Sequence, residues 1–166
     1  MSQSLPDLWR RESRRGEPAP RRPEQPPKRT KRQSATALAA VPMFSDLSKR
    51  HLQRLARDTD ELSFAPGEAV VREGDLGETL FVVLEGEGKV TRGGRKVGTV
   101  VPGDFFGELA AIDAEPRTAS VVALTSMRVL RLFRRHLMTL IDDEPQVTLK
   151  LLEGIVRRLR LVDRSA

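Results

Sequence analysis

The chain has 166 residues, enough for one domain of ordinary size with extensions, and carries 29 Lys or Arg against 23 Asp or Glu, a net charge of +6. It has no cysteine, which excludes disulfides and thiol chemistry, and no uninterrupted apolar run of membrane-spanning length. Both observations fit a cytoplasmic protein without a transmembrane segment.

The excess charge is concentrated at one end. Residues 1–34 hold ten bases, four acids and six prolines, whereas residues 35–166 hold nineteen of each sign. So few large apolar side chains cannot offset the entropy of ordering, and residues 1–34 are expected to form a disordered basic arm. Such an arm solubilises, or makes weak contact with nucleic acid, an acidic partner or an anionic membrane surface. Trp9, between Leu8 and Arg10, slightly favours a contact role.

A folded domain is expected over residues 35–163, followed by a short tail, 164–166. Residues 34–40 suit a short helix ending before Pro42. Ser48 is a good N-cap for a helix over 49–58, with Leu47 and Leu52 placed to form a hydrophobic staple. Short segments rich in Val, Leu and Phe then follow at 61–65, 69–73, 79–85, 89–92, 96–101, 120–124 and 128–133. Turn text separates them: Pro66-Gly67, Gly74-Asp75, Gly93-Gly94, Pro102-Gly103 and Thr125-Ser126. This pattern predicts a mainly β fold, a sandwich or jelly-roll barrel, with flanking α-helices.

Two more helices are expected at 134–142 and from Pro145 to about residue 163. In the longer one, Val147, Leu151, Leu152, Ile155, Val156, Leu159 and Val162 cover an arc of about 200°, wider than the one stripe a surface helix needs. The surplus predicts a homodimer through this helix; a monomer with a deeply buried helix is the alternative.

The chemistry gathers in Phe105-Phe106-Gly107-Glu108-Leu109-Ala110 and, after six residues, Arg117-Thr118-Ala119-Ser120. Arg117 offers paired donors to phosphate oxygens, and Glu108 accepts from a hydroxyl while repelling further negative charge. Phe105 and Phe106 are expected to supply an apolar floor, and Ala110, Ala111, Ala114 and Ala119 to leave space above it. Alternatively, Glu108 and Arg117 pair with each other across a surface turn. His51 and His136 lack metal-ligand spacing, and Ser120 has no activating base nearby, so no catalytic constellation emerges and the chain reads as a non-enzyme.

The same residues resemble the phosphate-binding cassette of cyclic nucleotide-binding domains. The resemblance extends over Val41-Pro42-Met43-Phe44-Ser45-Asp46-Leu47, Phe64-Ala65-Pro66-Gly67-Glu68, Val71-Arg72-Glu73-Gly74-Asp75-Leu76-Gly77 and Leu80-Phe81-Val82-Val83-Leu84-Glu85-Gly86. It implies a double-stranded β-helix or jelly-roll barrel. It also implies that Glu108 binds a ribose 2'-hydroxyl, that Arg117 binds the cyclic phosphate, and that Phe106, Gly107, Leu109, Ala110, Thr118 and Ala119 line the site. The implied ligand is cAMP, with cGMP less favoured, and the implied role is a sensor acting through a dimer or an effector protein. The alternative is an interaction module that keeps the fold without binding nucleotide, its arm engaging nucleic acid or an acidic partner. Unlike transcriptional relatives, the long helix ends in Leu161-Val162-Asp163, with no hydroxyl pair to meet the base and no helix-turn-helix text after it.

Overall fold

The computed structural model describes residues 31–164. Its N-terminal part is helical: α1 (Lys31–Ala39), a 3-10 turn (Pro42–Phe44) and α2 (Lys49–Asp58). Then come β1 (Asp60–Phe64), β2 (Ala69–Val71), β3 (Thr79–Glu85), β4 (Gly88–Arg92), β5 (Arg95–Val100) and β6 (Phe105–Phe106). The short helix α3 (Glu108–Asp113) precedes β7 (Ser120–Ala123) and β8 (Met127–Phe133), and α4 (Arg134–Asp143) and α5 (Gln146–Arg164) follow. Helix α1 begins at Lys31, so the last four residues assigned to the arm belong to it. The expected disorder of residues 1–30 lies outside the described residues.

The strands form two antiparallel sheets, ordered β1-β8-β3-β6 and β2-β7-β4-β5. This is the sandwich form of the expectation and not a closed barrel. The strands at one end of each sheet are too short to bridge to the other: β6 has two residues and β2 three.

Alternation along the strands builds two cores. Leu80 and Val82 of β3 and Leu130 and Leu132 of β8 face the helices, where they meet Phe44, Leu52, Leu55, Leu137 and Val147. Phe81, Val83 and Val129 face the second sheet and pack with Val100, Val121 and Met127. The first sheet is thus covered on both faces, which is why Leu80-Phe81-Val82-Val83 reads as an unbroken apolar run. Each large side chain so enclosed contributes about 1.5–3 kcal/mol relative to exposure.

The cap at Ser48 forms as expected: its side chain accepts from the His51 N–H, and Leu47 and Leu52 are both buried. At the other end of the chain, Lys150 ties α5 to the 3-10 turn. Its Nζ donates to the Pro42 carbonyl at 2.7 Å and the Ser45 hydroxyl at 3.1 Å, and lies 2.8 Å from an Asp46 carboxylate oxygen. Helix α5 is thereby held across the helical face, with its later turns over β6 and α3.

Candidate functional site

Glu108 and Arg117 are the two charged residues that fall in the buried class among the described residues, 5% and 7% exposed. Charged side chains are rarely so enclosed unless something holds them. Strand β6 delivers the chain into this site, Gly107 turns it, and α3 starts at Glu108. Gly107 has φ +80, and a Cβ on it would lie 2.5 Å from Arg117 Nη1 and 2.8 Å from the Thr79 carbonyl oxygen. Conformation and space therefore both demand glycine.

The Arg117 side chain lies under β3. Nη1 donates to the carbonyls of Thr79 (2.8 Å) and Gly107 (3.0 Å), and Nη2 donates to Thr79 Oγ1 (2.8 Å). Its guanidinium carbon also sits 5.7 Å from the centre of the Phe81 ring. Backbone bonds fix the residue itself: its N–H donates to the Asp75 carbonyl and its carbonyl accepts from the Gly74 N–H, both at 2.8 Å. Burial pushes the guanidinium pKa down, while the charges of Glu108 and Asp75 push it up. An arginine so placed stays charged, because its ordinary pKa is far above neutral.

Of the five guanidinium N–H groups, three are used by Thr79 and Gly107, leaving Nε–H and one on Nη2. Those two can be taken as a pair by two oxygens of one anion. Gly77 borders them: a Cβ there would lie 2.8 Å from Nη2 and 3.2 Å from Nε. The missing side chain keeps this edge of the arginine open.

Glu108 does not pair with Arg117. Its Oε1 lies 2.5 Å from Nη1 of Arg158 on α5. The Arg158 guanidinium stacks on the Phe105 ring, its carbon 4.9 Å from the centroid. One helical turn earlier, Gly154 faces the same ring, and a Cβ on it would stand 2.6 Å from Phe105 Cε1. Helix α5 therefore seats a glycine on Phe105 and reaches past it with an arginine to Glu108. Oε2 of Glu108 has no hydrogen-bond partner among the described residues and is available to a hydroxyl.

The expected neighbours fall less neatly. Phe105 and Phe106 do not form one floor, because adjacent strand residues point to opposite faces. Phe105 joins the core under the helices and Phe106 the core between the sheets, stacked on Phe81 with centroids 5.3 Å apart. Ala110 and Ala111, expected to leave space, fill buried positions of α3. Leu109 and Thr118 are exposed and Ala119 is half-buried at the rim, with the Thr118 carbonyl accepting from Arg92 Nε at 3.1 Å. Thr79, Gly154 and Arg158 were not singled out by sequence, and Gly77 was named only within the run Val71–Gly77, with no role at the site. Arg158 and Thr79 carry no local signal for a partner 50 or 38 residues away.

An open guanidinium edge on Arg117, bordered by Gly77, together with a carboxylate on Glu108 whose charge acts on that guanidinium, is chemistry for an anion that also bears a hydroxyl. Residues 61–144 match the family model for the cyclic nucleotide-binding domain, and the chain belongs to that family. It is 32% identical over 74% of its length to the cAMP-dependent protein kinase regulatory subunit of Hypocrea atroviridis, of which it covers 25%. It is 31% identical over 77% of its length to the CRP-like cAMP-activated global transcriptional regulator of Mycobacterium tuberculosis, of which it covers 59%. The regulatory subunit of a cAMP-independent protein kinase A from Trypanosoma brucei superposes with a TM-score of 0.66 at 27% identity, over 74% of this chain and 47% of that one. The chain thus spans between a quarter and three-fifths of the length of these curated relatives.

Proposed function

We propose that the chain is a regulatory sensor of a cyclic nucleotide, with cAMP as its ligand. The observation that carries this is the Arg117 guanidinium, buried and fixed on three of its N–H groups, with its Nε and Nη2 edge kept open by Gly77. A singly charged cyclic phosphate fits that edge, and the free oxygen of Glu108 takes the ribose 2'-hydroxyl. A linear monophosphate brings more negative charge toward the buried Glu108 and is disfavoured. The Hypocrea relative, a cAMP-dependent protein kinase regulatory subunit, and the Mycobacterium relative, a cAMP-activated regulator, support adenine over guanine. Occupation changes the hold of Arg158 on Glu108 and so the set of α5, which passes the signal to a second copy of the chain or to an effector protein.

Calorimetric titration with cAMP, cGMP and linear AMP tests the reading. Tightest binding for cAMP and weakest for AMP is expected; AMP binding as well as cAMP would overturn the assignment of the phosphate site.

A second reading keeps the fold and dispenses with the nucleotide. The Trypanosoma brucei relative, described as cAMP-independent, favours it, as does the ion pair by which Arg158 already engages Glu108. Silence toward all three nucleotides in the same titration would favour this reading, with the basic arm recruiting nucleic acid or an acidic partner.

A further inference from the structure

The two sheets carry charge differently. On the first, acids and bases meet: Arg128 pairs with Glu61 and Glu85, and Arg131 with Asp60. The strands of the second hold four bases, Lys89 and Arg92 on β4 and Arg95 and Lys96 on β5, and no acid. Arg92 stands opposite Arg95 in the register of the hairpin, a like-charge cross-strand pair that costs the sheet stability. Arg92 Nε donates to the Thr118 carbonyl, and a Glu73 oxygen at the hairpin tip accepts from the Gly93 N–H. Lys89, Arg95 and Lys96 make no ion pair with any carboxylate among the described residues.

Strand β5 is also an edge. It pairs with β4 on one side and with no strand on the other among the described residues. Arg95, Lys96 and Val97 are exposed in succession, Val97 at 55%.

We propose that this edge is a docking surface for an acidic polypeptide segment, which adds to β5 as a further strand. The outer main-chain groups of an edge strand offer hydrogen bonds to an extended peptide, the bases select carboxylates, and Val97 gives an apolar contact. Charge rules against the occupants nearest to hand. A second hairpin would set four bases against four, and residues 1–34 bring ten bases against four acids. Nucleic acid or a lipid surface would satisfy the cations but leave the main-chain edge unused, so a polypeptide matches more of what is present. Cationic edges also resist pairing with neutral strands, and that resistance becomes selectivity when the incoming strand is acidic.

The test is an NMR titration of the full chain with a synthetic peptide of alternating glutamate and valine. A matched peptide with lysine for glutamate, a DNA duplex and phosphatidylserine vesicles complete the comparison. Saturable shifts confined to β4 and β5, weakening as salt rises, are expected with the acidic peptide alone. The variant R95E/K96E, altered at exposed positions and checked for a Tm no lower than that of the natural chain, should lose the acidic peptide at least about tenfold and gain the lysine peptide. No shifts with the acidic peptide, shifts away from β5, unchanged binding by R95E/K96E, or stronger binding of DNA or vesicles through the same residues would each overturn the proposal.

Discussion

Gly77 and Arg117 are so placed that a methyl group on the glycine would stand 2.8 Å from Nη2 and 3.2 Å from Nε of the arginine. These are the nitrogens that retain donors after Thr79 and Gly107 are served. Gly77→Ala should therefore weaken cAMP binding by about 1–3 kcal/mol, the cost of spoiling a charged hydrogen bond, with little change in Tm because the loop 72–78 is largely exposed. Calorimetry beside thermal unfolding checks this; unchanged affinity would mean that the ligand approaches Arg117 from elsewhere.

Arg158 and Glu108 couple α5 to the cassette. Arg158→Ala leaves a buried carboxylate without its partner, and Glu108→Gln removes the charge that needed one. A double-mutant cycle on denaturant unfolding should return a coupling of about 0.5–3 kcal/mol between the two positions. Additive effects would show that the contact carries no energy and that α5 is held by Lys150 and the Phe105 seat alone.

Ala114 closes α3 with φ 58, the one non-glycine residue in the left-handed region among the described residues. Its Cβ is strained there and its side chain is exposed. Ala114→Gly should raise stability by about 1 kcal/mol in denaturant melts; a loss of stability would contradict the assigned backbone.

The surplus apolar face of α5 leads to an assembly prediction. Leu152 and Leu159 are 54% and 60% exposed and lie on one side of the helix with Val156, while Val147 and Leu151 face the core. Light scattering should give a dimer for the natural chain and a monomer for the Leu152→Glu, Leu159→Glu variant. Its Tm should fall only as far as dissociation requires, since neither side chain leaves a core. A natural chain that is monomeric at tens of micromolar would end this reading.

The strands were legible because their turns carry Gly and Pro at fixed places and their apolar runs are bounded. Strands β3 and β8 lie within a residue of expectation, and the Ser48 cap and the Leu47 and Leu52 pair were explicit in the text. Two-residue β6 was not legible, because Phe105-Phe106 has too few residues to show a period of two. That hid the divergence of the two rings into separate cores. The contacts of Arg117 with Thr79 and of Arg158 with Glu108 span 38 and 50 residues and follow from how a strand and a helix lie across the cassette. Glu108 and Arg117 themselves were found by their chemistry, but their natural partners were not, and a direct pair between them was the wrong alternative.

In the proposed site, Arg117 is the residue that receives the phosphate. The most direct test of that role is the cAMP affinity of the natural chain beside Arg117→Ala, with Arg117→Lys as the variant that keeps the charge but not the paired donors, each first shown to unfold cooperatively. Both substitutions should weaken binding, Arg117→Ala by at least about 1.5–3 kcal/mol, roughly ten- to 150-fold. Equal cAMP affinity in the natural chain and in a folded Arg117→Ala variant would contradict the assignment of the site.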